Sequence, residues 1–230
     1  MDLYQKKARA YPAVLTTILP ALYVITTIND LDWYIRLFNQ IGWYKIFPLS
    51  VIVLLFGAIG FCCSELIAVI SKIFPLFKED ETQMPTTNLL IYRTSNFTES
   101  HIDLILNKIF QDFGKKMPNK SDQIEDEKNS RKAIAEAVPL IREVTRKDPI
   151  LLMINIRYGF FRNFLGGFVL AEALMLTFYF IPGLKFAWNW WLFVIVPWVG
   201  FIMSFICMRI CARQYARQLY ASYLKQPSLN

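Results

Sequence analysis

Four apolar blocks constrain this chain more than any other feature. They cover residues 12–29, 47–71, 164–182 and 190–208, and each approaches the ~20 residues with which an α-helix crosses the hydrocarbon of a bilayer. The chain is 55% hydrophobic over 230 residues with a mean hydropathy of +0.33. A water-soluble domain of that length sits well below this, so the excess calls for lipid as solvent. The expected fold class is therefore mainly α: an integral membrane protein with four transmembrane helices and a small cytoplasmic α(+β) segment between helices two and three.

The first block is the least regular, because it is short, holds Pro20 and four threonines, and follows Lys6, Lys7 and Arg9 as a secretory signal would. TTIND offers no small-x-small cleavage site, so the block is expected to stay as helix one. Lys and Arg in the flanks set orientation. Lys6, Lys7 and Arg9 precede helix one, and Arg209, Arg213, Arg217 and Lys225 follow helix four, whereas only Lys185 lies between helices three and four. Both termini and the middle segment are expected in the cytoplasm, with the chain multi-pass in the membrane. On this reading the net charge of +7 is a topology signal more than a nucleic-acid footprint.

The expected organisation runs as follows: an N-terminal transmembrane hairpin over 1–75, a cytoplasmic domain over 76–155, a C-terminal hairpin over 156–212 and a cytoplasmic tail over 213–230. Inside the first hairpin, residues 30–46 place Trp33, Leu37, Phe38, Ile41 and Tyr44 at helical spacing opposite Arg36, Asn39 and Gln40. That pattern fits an interfacial amphipathic helix, or a packed lid on the outer side. Gly57, Gly60, Ser64 and Ala68 give helix two a face of small residues suited to close packing. In the middle segment TTNLLIY reads as a short strand. Residues 98–113 read as an amphipathic helix that Gly114 stops, 115–130 as a charged linker, and 131–147 as a further helix.

Signals for catalysis are nearly absent. His101 has no second His or Cys near it, and no phosphate-cradling Gly loop, HExxH, GxSxG or CxxC pair occurs. Cys62, Cys63, Cys207 and Cys211 lie in or beside apolar blocks and read as small hydrophobes. No enzyme activity, cofactor or metal is expected.

Two carboxylates lie inside membrane blocks, Glu65 and Glu172, both roughly 10 to 15 Å from the cytoplasmic boundary at helical rise. Ionisable groups in lipid are costly and mark functional sites. Repeated around a symmetric oligomer, taken here as a tetramer, they would form an acidic ring in a cation pathway. Pairing with Arg157, Arg162 or Arg209, or protonation, is the structural alternative. Thr16 and Thr27 fall on one face of helix one with Pro20 and Tyr23, a second possible pore surface. In the cytoplasmic segment acidic residues nearly cancel scattered basic ones, which argues against long nucleic acids. A few arginines beside a loop suffice for a nucleotide phosphate: Thr86 and Thr87 with Arg93, Arg142 and Arg146.

PTTNLL (85–90), EVTRKDP (143–149) and NIRYGFFRNFLGG (155–167) resemble, in that order, a family of bacterial four-helix membrane proteins. In that family PTT-x-LL, a T-R-D/K element and N-x-x-Y-G-F-x-R-N-x-x-G recur. Tyr158, Gly159, Phe160, Arg162, Asn163 and Gly166 match, whereas Ile154 and Phe161 stand where the family commonly has Glu and Arg. The resemblance implies a membrane effector of anti-phage defence, of the Hailong and CBASS type, controlled by a nucleotide or short oligonucleotide that a nucleotidyltransferase partner makes. The expected function is thus an oligomeric channel or pore that depolarises the membrane in abortive infection. The alternative is a membrane scaffold that recruits a cytoplasmic partner. Arg157, Tyr158, Arg162, Asn163, Gly166 and Gly167 are expected at the joint where the soluble segment enters helix three, with the glycines providing close packing or a hinge.

Overall fold

The computed structural model describes residues 4–28, 47–73, 81–180 and 190–228. The expected interfacial helix over 30–46 lies outside them. Among the described residues all regular structure is helical. A π-helical turn, Gln5–Ala10, leads into α1 (Tyr11–Ile28); α2 (Phe47–Cys62) and α3 (Ser64–Ile73) follow. A 3-10 turn, Glu81–Gln83, precedes α4 (Pro85–Asn88), α5 (Glu99–Phe113), α6 (Lys120–Glu125) and α7 (Glu127–Thr145). The last two helices are long: α8 (Pro149–Tyr179) and α9 (Trp190–Lys225).

Within α8 and α9, the segments Pro149–Phe178 and Phe193–Lys225 are long and apolar enough to cross a membrane. The segments Val53–Cys62 and Ser64–Ser71 meet at a 57° bend and would make a third span if taken as one. The chain thus has membrane-protein character in at least two helices.

The chain divides into two compact units: Met1–Phe74 with Ile156–Met208, and Pro75–Asn155 with Arg209–Asn230. The first is built by close backbone approach. A Cβ added at Gly60 of α2 would lie 2.8 Å from the Ala13 carbonyl oxygen of α1, and one at Gly166 of α8 would lie 2.6 Å from the Ile67 carbonyl oxygen of α3. Only a residue without a side chain lets these helices meet so closely, the mode of packing expected where lipid removes the hydrophobic drive between helices. Thr16 and Thr17 satisfy their hydroxyls within α1, on the carbonyls of Pro12, Ala13 and Val14.

The second unit has a conventional apolar core. Ile102, Ile105 and Ile109 of α5 recur at helical spacing against Ile134, Val138 and Ile141 of α7 and Leu219, Tyr220 and Tyr223 of α9. Residues 209–225 are thus helix, and their apolar face completes this core. Gly114 ends α5 in the left-handed conformation at φ 64°, which glycine adopts without a Cβ penalty. The expected charged linker holds α6, whose Asn119 and Asp122 form a reciprocal capping box, and Asp126 caps α7 in turn.

The strand expected over TTNLLIY is not formed; the segment is α4 followed by turns. Short polar side chains take the local backbone acceptors that a ladder would need exposed. The Thr87 hydroxyl donates to the Glu81 carbonyl at 2.7 Å, Thr94 to Asn88 at 3.0 Å and Ser95 to Leu89 at 2.6 Å. Such bonds compete with sheet formation, and Pro85 pre-sets the first helical turn.

Candidate functional site

In the first unit, Asn163 of α8 is fully buried and joins three segments. Its Nδ2 donates to the Ala8 carbonyl at 2.6 Å, and its Oδ1 accepts from the Ser71 hydroxyl at 3.2 Å. Ala8 lies in the π-helical turn, where the Tyr11 N–H bonds the Lys6 carbonyl and Pro12, which has no N–H, breaks that ladder at the next step. Asn163 thus brings a side-chain donor from α8 to a carbonyl of this irregular turn. Gly159, Asn163, Gly166 and Gly167 lie on one face of α8, and added Cβ atoms at the glycines would meet Tyr4 and Ala8, the α3 backbone, and Thr16 respectively. At Gly159, Gly166 and Gly167 the expected close packing is present within the first unit.

The other residues singled out by sequence have separate environments. Glu65 pairs with Arg9, whose Nη1 donates to both carboxylate oxygens at 2.7 and 3.0 Å. This partner comes from the N-terminal turn rather than from Arg157, Arg162 or Arg209. Thr16 is buried against Gly167, and Pro20 and Tyr23 on its face are buried as well, so within one subunit this face of α1 packs inward. The Thr27 side chain lies outside the described part. Arg157 is exposed. The Arg162 guanidinium lies 5.8 Å from the ring centroid of Tyr158, and its Nε is buried without a hydrogen-bond partner among the described residues.

Glu172 is different. It lines an apolar groove of about 320 Å³ between α8 and α9, with Phe168, Val169, Leu176, Pro197, Trp198 and Phe201 around it. One carboxylate oxygen is buried with no hydrogen-bond partner among the described residues.

In the second unit, Thr86, Thr87 and Arg142 come together, but around an acid that sequence reasoning did not single out. Glu81 accepts from Arg142 Nη1 at 2.8 Å, while Thr87 holds the Glu81 carbonyl. Tyr220 donates to the Thr86 carbonyl at 2.8 Å. Burial pushes the Tyr220 hydroxyl up, so that it stays a neutral donor; Arg142 opposes this and Glu81 adds to it. Tyr215 is likewise raised by burial and partly offset by Arg142, to which it is hydrogen-bonded. Arg131 was also missed. Its Nη1 donates to the Thr82 carbonyl at 3.0 Å and to Asn88 Oδ1 at 2.6 Å, while its Nε bonds Glu127. Eleven residues, about three helical turns, separate Arg131 from Arg142, which puts both on one face of α7 and was the available signal.

Arg93 and Arg146 lie elsewhere. Arg93 is exposed at a cleft of about 300 Å³ with Tyr92, Glu99, Lys120 and Gln123, and Arg146 pairs at 3.7 Å with Glu143 at the surface. Among the described residues no group of three His, Cys, Asp or Glu side chains is placed to hold a metal ion. Compared with protein-family models, with curated proteins and with solved structures, the chain matches none.

Proposed function

We propose that this chain is a homo-oligomeric channel or pore-forming effector of the bacterial inner membrane. It has four spanning helices and cytoplasmic termini, is switched by a nucleotide or short oligonucleotide on the cytoplasmic side, and acts by depolarisation in anti-phage defence. The observation that carries the pore is Glu172. A carboxylate in apolar helices costs free energy unless it meets water, a cation or a donor, and within one subunit its buried oxygen has no described partner. Rotational symmetry would repeat the group as a ring around an axis and give each copy a hydrated environment. Glu65 serves a different role in this reading, because Arg9 already neutralises it. The nucleotide signal is supported by the resemblance of the PTTNLL, EVTRKDP and NIRYGFFRNFLGG elements. The ligand would bind the two conformations unequally and shift their populations.

The test is planar-bilayer recording of the reconstituted full chain, with and without its operon partners. Cation-selective conductance is expected, with Glu172→Gln cutting the selectivity for cations over anions several-fold. A chain that never conducts under any trigger and does not affect growth would be a membrane scaffold, as would one whose activity Glu172→Gln leaves unchanged.

A further inference from the structure

Arg131 and Arg142 share one face of α7 and both reach the 81–88 segment, yet they hold it in different ways. Arg131 is spent on fixed acceptors: a backbone carbonyl, the Asn88 amide oxygen and a carboxylate on its own helix. Arg142 gives one nitrogen, Nη1, to the Glu81 carboxylate at 2.8 Å. Its Nε is buried with no hydrogen-bond partner among the described residues, and the same holds for Glu81 Oε2 and the Thr86 hydroxyl. Thr86 itself is 3% exposed. A guanidinium offers a planar fork that carboxylates and phosphates can take through two nitrogens. Glu81 takes one nitrogen and Tyr215 also bonds the guanidinium, which leaves Arg142 Nε and the Thr86 hydroxyl as donors without a described partner beside a singly bonded carboxylate.

We propose that the Arg142–Thr86 corner is a binding site for a phosphate group, and that Glu81 is a built-in competitor which occupies Arg142 until the phosphate displaces it. The inference rests on the cytoplasmic-signal half of the proposed function and not on the pore. Displacement is inexpensive because both partners are about a third exposed, at 35% and 39% of their side chains, and pairs of that exposure contribute little in water. A phosphate in the place of the Glu81 carboxylate takes Nη1 and also accepts from the Thr86 hydroxyl, two interactions where Glu81 makes one. The backbone of the segment stays in place when the Glu81 side chain leaves, because Arg131 holds Thr82 and Asn88, and Thr87 holds the Glu81 carbonyl. Loss of the Glu81 contact is then the local event through which ligand occupancy alters the segment.

The experiment is calorimetric titration of the full chain in lipid nanodiscs with inorganic pyrophosphate at constant ionic strength. Glu81→Ala is expected to tighten binding about fivefold, the factor that corresponds to a partly exposed ion pair of ~1 kcal/mol. Glu81→Ala with Arg142→Gln loses the gain and falls below wild type, and Thr86→Val in the Glu81→Ala background weakens binding about three- to tenfold. Unchanged circular dichroism and elution volume establish that each variant is folded. A folded Glu81→Ala chain that binds no more tightly than wild type overturns the proposal, as does binding that survives Arg142→Gln. If pyrophosphate behaves as expected while no conductance is ever recorded, the pore reading fails and this site stands; conductance without any effect of Glu81→Ala on pyrophosphate binding gives the reverse.

Discussion

The two units solve opposite packing problems. In the first, large apolar side chains point outward, such as Leu54 at 71% exposed and Trp198 at 57%, while Thr16, Thr17, Ser71, Asn163 and Ser204 are inside with the glycines. In the second, Ile102, Ile105, Ile109, Ile134 and Ile141 are inside, and Lys and Glu are mostly outside. Burying a methylene from water stabilises by about 0.8 kcal/mol, but moving it from lipid to protein gains little, so the first unit is held by backbone proximity and a few hydrogen bonds. The same composition of helices therefore fails in different ways when it is mutated.

The largest expected effect is at Gly166. A Cβ there would sit against the fixed Ile67 carbonyl, and a leucine has no room at all. Gly166→Ala should cost about 2 kcal/mol and Gly166→Leu more than about 3, read as a lost thermal transition in detergent. Gly57→Ala, whose Cβ would meet only Val14 at 3.9 Å, should be neutral or slightly stabilising, and an equal loss at both positions would refute packing by close approach. Next comes the inversion itself. Ile105→Ala in the second unit should cost roughly 2 to 4 kcal/mol, whereas Leu54→Ala in the first should change stability by less than about 0.5 kcal/mol, both measured by thermal unfolding of the full chain.

A smaller effect is expected at Asn163. Asn163→Leu strands the Ala8 carbonyl and should cost about 1 kcal/mol, in line with polar contacts between membrane helices. Ser71→Ala removes only the 3.2 Å bond to Asn163 and should cost less; a cost at Asn163→Leu no larger than that at Ser71→Ala would mean that the bond to Ala8 contributes nothing. The smallest effect is pH dependence in the second unit. Asp148 accepts from Ser222 and from the first N–H groups of α8, and the Ser222 hydroxyl, more than offsetting burial, holds its carboxyl below the ordinary 3.8. A depressed folded value means that the stabilisation is complete above the ordinary value and disappears as pH falls through the lower one. Ser222→Ala should therefore lower thermal stability at neutral pH, where the contribution is complete, and flatten the further loss between about pH 5 and pH 2, the two proteins converging at the acid end.

Much of this architecture was legible in the chain because its signals are local. The 3.6-residue apolar period over 98–113, with Gly114 after it, specifies α5, and the apolar blocks at 164–182 and 190–208 specify the helices that can cross a membrane. TTNLLIY misled because its β-branched and aliphatic residues satisfy a strand pattern, whereas the deciding interactions run from Thr87, Thr94 and Ser95 back to carbonyls six residues earlier. Thr86, Thr87 and Arg142 were marked by residue type. Glu81 and Arg131 were not, because an acid that competes and an arginine that clamps look the same in sequence as solvated surface charge.

The sequence by itself determined that the chain is mainly helical, that at least two of its helices are long and apolar enough to cross a membrane, and where carboxylates enter apolar helices. Tertiary structure alone decided which of those carboxylates is satisfied: Arg9 reaches Glu65 across 56 residues, and nothing described reaches the buried oxygen of Glu172. It also decided that Asn163 serves the Ala8 carbonyl, 155 residues away. Periodicity and hydropathy are summed over one helix at a time and fix its existence and face, whereas a hydrogen-bond partner is fixed by the crossing of two helices, which depends on the glycines that let their backbones meet.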